Sequence, residues 1–192
     1  MRPIPGVDVT LIARELDAPY SGMLPGFVAG HYTHDNCHID LVRLAAWCGV
    51  RLIHGSVTGI DRQARRVLIE GRPPLGYDLL SIDVGITPAL DGIAGAAEHA
   101  VAVKPVSLFA PRWQSLEKEA LAKGGPRRFA VVGSGAAGFE LILAVRHALV
   151  SKAHGAGIDP AHFSFTLVGG ARLLPNHNAG ARRHAQADPT AP

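Results

Sequence analysis

Cysteine is scarce in this chain. Its 192 residues include two, Cys37 and Cys48. They stand eleven positions apart, in neither a C-x-x-C pair nor a zinc-ligand spacing, so reduced, partly buried thiols are expected rather than a redox pair. Aromatic residues make up 6% and charged residues 18%. The basic surplus is small, 19 Lys and Arg against 16 Asp and Glu. The pairs Arg65-Arg66, Arg127-Arg128 and Arg182-Arg183 lie far apart and form no basic stripe with interleaved aromatics, so nucleic-acid binding is not implied. No apolar run approaches the roughly 18 residues of a membrane span. The opening Met-Arg-Pro-Ile-Pro-Gly has no apolar signal core, and a cytoplasmic location is the default expectation. His31, His34 and His38 gather near Cys37 in no closed zinc pattern, which favours a polar loop before a helix, with no metal.

What the chain does have is apolar residues, at 47%, and 22 glycines. Three of those glycines punctuate the most informative stretch, Phe129-Ala-Val-Val-Gly-Ser-Gly-Ala-Ala-Gly-Phe-Glu140. The apolar run Phe129–Val132 reads as a buried parallel strand. Gly133, Gly135 and Gly138 then follow in G-x-G-x-x-G spacing, and helix-period apolar residues run from Phe139 to Val150. In such a turn the first glycine permits the sharp exit from the strand, the second lets the backbone approach a pyrophosphate, and the third lets helix and strand pack closely. The free N–H groups and positive dipole end of the helix then face the phosphates. A ligand-free strand-to-helix turn is the bland alternative.

The rest of the chain is read in order. Pro3, Pro5 and Gly6 form a loop before an alternating, β-branched strand, Val7–Ile12. Residues 13–30 carry too much Gly and Pro for a regular helix before Leu24. Leu41, Leu44, Ala45 and Cys48 share a helical face that Asp40 could cap. Strands follow at Val50–His54, Val57–Asp61 and Arg66–Glu70, the last two as a small antiparallel excursion. Tyr77–Asp83 reads as a buried strand ending at Val84-Gly85. Residues 86–95 form a turn-rich link, and Val101–Val106 is extended. A helix covers Val106–Lys123, with Pro111 offered as its true start. Gly124-Gly-Pro126 ends it and marks the best domain boundary. Phe163–Val168 is the strand after the glycine-loop helix, reached through an insert at Ser151–His162.

Taken together, Tyr20-Ser-Gly-Met-Leu-Pro-Gly-Phe-Val-Ala-Gly-His-Tyr32, Val57-Thr-Gly-Ile-Asp61, Tyr77-Asp-Leu-Leu-Ser-Ile-Asp-Val-Gly-Ile-Thr-Pro88, Val103-Lys-Pro105 and the glycine triplet resemble the pyridine nucleotide-disulfide oxidoreductase superfamily. Within it the closest likeness is to the flavoprotein often fused ahead of selenide, water dikinase, with a more distant one to type II NADH dehydrogenases. The resemblance implies an α/β, Rossmann-like FAD/NAD(P)-binding fold: a parallel sheet with helices plus a small antiparallel β excursion, in a two-dinucleotide architecture that is incomplete here. It implies an FAD-dependent oxidoreductase that passes hydride from NAD(P)H to flavin and on to a small-molecule electron acceptor. The cofactors carry that chemistry, and the protein supplies position and electrostatics. Arg14 would lie near the adenosine side of FAD, and Ser21, Gly22 and Met23 along the flavin or its pyrophosphate. Val57 would contact the adenine, and Gly85 would approach the pyrophosphate. Lys104, the one candidate catalytic residue, would lie near the isoalloxazine. Gly133, Gly135, Gly138 and Glu140 would frame the nicotinamide dinucleotide.

Several departures from the family pattern shape these expectations. The first strand and the FAD glycine triplet are not found ahead of Val7. The position of the ribose-binding acid is Ala13, with Glu15 two residues on. The acid that would select NAD falls at Gly169, and its absence beside Arg172 leans towards NADP. No close cysteine pair accompanies the flavin, so a direct route to an external acceptor replaces a thiol relay. The expected division is 1–123, a partial FAD-binding domain with a linker helix; 124–178, a partial NAD(P)-binding β-α-β unit; and 179–192, a disordered tail. The chain thus reads as an internal fragment of a larger flavoprotein. A homo-oligomer and a missing complementary segment both remain open, as does a nucleotide-binding remnant or partner-binding module without turnover.

Overall fold

The computed structural model describes residues 5–87, 90 and 92–187. Its elements in chain order are β1 (Thr10–Ala13), β2 (Asp17–Pro19), α1 (Leu24–Val28), β3 (His38–Asp40), α2 (Leu41–Cys48), β4 (Arg51–His54), β5 (Val57–Asp61), β6 (Arg66–Ile69) and β7 (Leu75–Gly76), then α3 (Ala96–His99), α4 (Val106–Ala120), β8 (Arg128–Val132), α5 (Ala136–Ala153), β9 (Ser164–Val168) and α6 (Ala179–Gln186). They gather into two compact units. One holds the described residues of Met1–Tyr20 and His38–Ala89, and the other those of Ser21–Cys37 and Leu90–Pro192. Ser21–Cys37 joins the second unit because Leu24 and Val28 are buried in that unit's core.

In the first unit β1 and β4 pair in parallel, from Thr10 opposite Arg51 to Ala13 opposite His54. The chain crosses between them through α2. Asp40 caps that helix, accepting the Arg43 N–H at 2.9 Å. Ala45 is buried on its inner face, and Leu44 sits at the rim, 39% exposed. The Asp40 carboxylate satisfies an amide that the helix itself cannot. Asp40→Ala is expected to cost about 1 kcal/mol of stability, read as a lower urea midpoint with an unchanged m-value.

β5, β6 and β7 form the antiparallel excursion expected from the alternation. Val67 and Ile69 of β6 turn inward with Ile53 of β4, and Ile12, Leu75, Tyr77 and Leu80 pack around them. The strand begun at Val7 is shorter than its alternation suggests, since Val7 and Val9 are half exposed and only Thr10–Ala13 finds a ladder. Of the opening loop, Pro5 and Gly6 are in a turn and Pro3 lies outside the described residues.

The expected buried strand over Tyr77–Asp83 does not form. Residues 77–87 take no regular structure, and Leu79 and Val84 are 91% and 86% exposed. The apolar alternation supplies strand propensity, but a strand also needs a neighbouring backbone to accept its hydrogen bonds. No described strand pairs with this segment. In the link that follows, Pro88, Ala89 and Asp91 lie outside the described residues.

The second unit is built around α5. Leu141, Ala144, Val145, Ala148 and Leu149 recur at i, i+3, i+4, i+7 and i+8 and are all buried, the spacing of one helical face. Against them pack Leu24 and Val28 of α1, Phe109 and Trp113 of α4, and Phe163 ahead of β9. α4 starts at Val106 and carries Pro111 inside it. Its first turns are held because Phe109 and Ala110, on the N-terminal side of that proline, are each only 4% exposed. The core outweighs the one backbone bond that proline cannot donate. β8 and β9 run parallel and in register, Phe129 opposite Phe165 and Val132 opposite Val168. β8 is covered on one face only: Phe129 and Val131 pack against the core while Val132 is 70% exposed. The expectation of a fully buried strand is corrected accordingly, because a two-stranded sheet has one helix-covered side. Residues 179–186, read as disordered from composition, form α6, whose N-terminus is capped by Asn178 accepting the Ala181 N–H at 2.8 Å. Residues 188–192 of that expected tail lie outside the described residues.

Candidate dinucleotide site

The glycine loop joins β8 to α5 in the second unit. Gly133 donates to the Val168 carbonyl at 2.7 Å, closing the β8–β9 ladder. It then turns the chain at φ +128, a conformation that L side chains rarely adopt. Gly135 is the N-cap of α5, in extended geometry with φ −76 and ψ 178, and no side chain caps the helix there. The amides of the first turn have no intrahelical acceptors. A Cβ built on Gly135 would meet no atom within 4 Å, whereas one on Gly138 would lie 1.9 Å from the Gly133 carbonyl oxygen. The two glycines thus serve different ends. Gly138 is required by the close packing of helix on loop, and Gly135 leaves space open in front of the helix. Glu140 is exposed on the second turn.

Ser134, between the first two glycines, is a contact point that sequence reasoning missed. Its carbonyl accepts the Leu174 N–H at 2.8 Å. A Cβ on Gly169, just after β9, would fall 2.2 Å from the Ser134 Cβ and 3.0 Å from its backbone nitrogen. Leu174 is buried and sits at φ 50. Residues 169–174 are therefore fastened to the glycine loop at both ends. The Gly-Gly pair after an apolar strand was the only sequence signal for this contact.

The other candidate residues fall in both units. In the first, Arg14 follows β1, is exposed, and pairs with Glu15 at 3.0 Å. Its carbonyl accepts from His54 Nε2 at 3.0 Å. Val57 opens β5, half exposed. Gly85 lies in the irregular 77–87 stretch at φ +68, with open space where a Cβ would stand. In the second unit, Ser21, Gly22 and Met23 form a 3-10 turn leading into α1, and half-buried Lys104 precedes Pro105 at the start of α4. Both cysteines are free thiols, and burial pushes the Cys37 thiol above its ordinary pKa, which keeps it protonated and unreactive at neutral pH. An open depression of about 470 Å³ in the first unit, lined by Ile60, Arg62, Arg65, Tyr77 and Leu79 among others, contains none of the candidate residues.

No protein-family model matches the chain, and no curated protein matches it by sequence. Solved structures match its fold. NDH2 from Plasmodium falciparum in complex with NADH superposes at a TM-score of 0.73 and 18% identity, over 92% of this chain and 40% of that one. A NAD-dependent persulfide reductase from A. fulgidus gives 0.73 and 19%, over 94% and 33%. The fold is Rossmann-like, of the FAD/NAD(P)-binding type. The water-forming NADH oxidase from Lactobacillus brevis bound to NADH matches at 0.64 and 20%, over 96% of this chain and 39% of that one. These neighbours are members of the pyridine nucleotide-disulfide oxidoreductase superfamily. At such identities the likeness is one of fold, and the chain spans 33% to 40% of their length. Among the described residues no helix is long and apolar enough to cross a membrane.

Proposed function

We propose that the chain acts in FAD-dependent NAD(P)H oxidation, with residues 124–178 holding the nicotinamide dinucleotide and residues 1–123 contributing part of the FAD site. The observation that carries the reading is the glycine loop. Gly135 leaves an unfilled space in front of an uncapped 18-residue helix, and both the dipole of that helix and its free amides suit a pyrophosphate. NADH in complex with two of the fold neighbours supports the same ligand class. Bound NAD(P)H would supply a hydride and bound FAD would take it up.

The residues of this chain bind and orient. The amides after Gly135 would hold the pyrophosphate, and Glu140 would lie along the dinucleotide. In the FAD portion Arg14 and Val57 would meet the adenosine, Gly85 would offer its open backbone to the pyrophosphate, and Ser21, Gly22 and Met23 would line the flavin side. Lys104 would stand near the isoalloxazine as a fixed positive charge. The acceptor is a small molecule, and the working location is the cytoplasm. The narrower likeness to the flavoprotein found ahead of selenide, water dikinase rests on the Tyr20–Gly26 run.

A second reading, nucleotide binding without turnover, is favoured by the stretch 77–87, which pairs with no described strand. Reconstitution with FAD separates the two. Flavin absorbance that stays with the protein through gel filtration, and bleaches on adding NADPH or NADH, is expected of the oxidoreductase. A protein that stays colourless but is stabilised by either nucleotide rejects turnover and keeps the binding site.

A further inference from the structure

We infer that the dinucleotide site selects the 2′-phosphorylated cofactor, NADPH, over NADH, and that Arg172 is the residue that does so. This rests on the glycine loop being the dinucleotide site. In such a β-α-β unit the adenosine ribose lies beyond the end of the second strand. There an acidic side chain accepts from the free 2′-hydroxyl in NAD sites, and an arginine receives the 2′-phosphate in NADP sites. The end of the second strand here is Val168-Gly169.

Two observations decide what that position can hold. First, Gly169 has no room for a carboxylate. Any Cβ there would overlap Ser134, at 2.2 Å from its Cβ and 2.5 Å from its Oγ. The nearest of these atoms is the Ser134 Cβ, whose place is fixed by the loop backbone, so an acid at this position would force the loop to shift. Second, the segment that leaves Gly169 returns to the same serine, with Leu174 donating to the Ser134 carbonyl at 2.8 Å. Arg172 lies on the short arch between these two anchors. It is exposed, and it has no hydrogen-bond or ion-pair partner among the described residues. Its guanidinium is thus a free bidentate donor for a phosphate, on a segment fastened to the pyrophosphate loop.

Along the chain between Asp159 and Asp188 the charge has the same sign. Residues 160–187 contain Arg172, Arg182 and Arg183 and no Asp or Glu. A dianionic phosphate would meet attraction there, and the bare hydroxyl of NADH would meet no carboxylate from these residues. Arg182 is otherwise engaged, its guanidinium donating to the His177 carbonyl, which leaves Arg172 as the cation nearest in sequence to the strand end.

The test is a titration of the purified full chain with NADPH and with NADH, followed by thermal shift and by competition with 2′,5′-ADP against 5′-ADP. NADPH is expected to bind at least tenfold tighter than NADH, a gap that narrows as salt screens the phosphate contact. Arg172→Ala is expected to remove most of that gap by weakening NADPH and 2′,5′-ADP while leaving NADH unchanged. Arg172→Lys keeps part of it, and Arg183→Ala keeps all of it. Equal affinities in the unaltered protein, or a preference for NADH, overturn the inference and leave the site standing. A preference that survives Arg172→Ala overturns the role of Arg172. If neither dinucleotide binds, the glycine-loop assignment itself fails, and the inference falls with it.

Discussion

Gly135→Val is expected to abolish the protection that bound NADPH or NADH would give against thermal unfolding, while the free protein should unfold close to its normal temperature. The two halves of this result come from one geometry. Gly135 has φ −76 and ψ 178, extended backbone that valine adopts freely, and nothing stands within 4 Å of where its Cβ would be. The folded chain therefore has room for the valine, and the helix loses no more than about 1 kcal/mol from a poorer N-cap residue. The space the side chain takes is the space a pyrophosphate needs to reach the amides of α5. A nucleotide at a hundredfold its dissociation constant stabilises a protein by about 2.7 kcal/mol, and that whole increment should vanish. Protection that persists in the variant would place the ligand elsewhere.

Gly138→Ala is expected to show the opposite profile, with the free protein itself destabilised. The added methyl would stand 1.9 Å from the carbonyl oxygen of Gly133 and 2.9 Å from its carbonyl carbon. These are backbone atoms, and the same Gly133 closes the β8–β9 ladder through its N–H to Val168. Helix and loop must separate, which costs about 1–3 kcal/mol by the usual measure of overpacking and more if the ladder end opens. The urea midpoint should fall with the m-value unchanged, and nucleotide affinity should drop because the loop amides are displaced. Unchanged stability in this variant would overturn the close packing of helix on loop. Within one motif, then, one glycine is proposed to serve the ligand while another serves the fold, and the two variants separate those roles in a single melting experiment.

The readable parts of this protein were those set by neighbours in sequence. The strand, glycine triplet and helix at 128–153 are local: an apolar run, a residue that must take positive φ, and a buried face at helical spacing. The Asp40 cap and the β5–β6 hairpin are of the same kind. Two readings depended on partners that no local pattern names. Tyr77–Asp83 has strand residues but found no neighbouring ladder. Pro111 looked like a helix start until Phe109 and Ala110 were buried on its N-terminal side. Residues 179–186 lack an apolar stripe and still form a helix, whose Asn178 cap on the Ala181 N–H is a local signal that composition hid.

By itself the sequence determined the strand, glycine turn and helix at 128–153, with Gly135 at the head of the helix, because an apolar run, closely spaced glycines and a helical apolar face are all local signals. Tertiary structure alone decided what lies beside the turn. Gly169 and Leu174 are 35 and 40 positions from Ser134, and only the parallel pairing of β8 with β9 brings them against it. That contact bars a side chain at Gly169 and holds Arg172 on a fastened arch, because the Ser134 side chain stands where a Cβ on Gly169 would be and the Ser134 carbonyl accepts the Leu174 N–H.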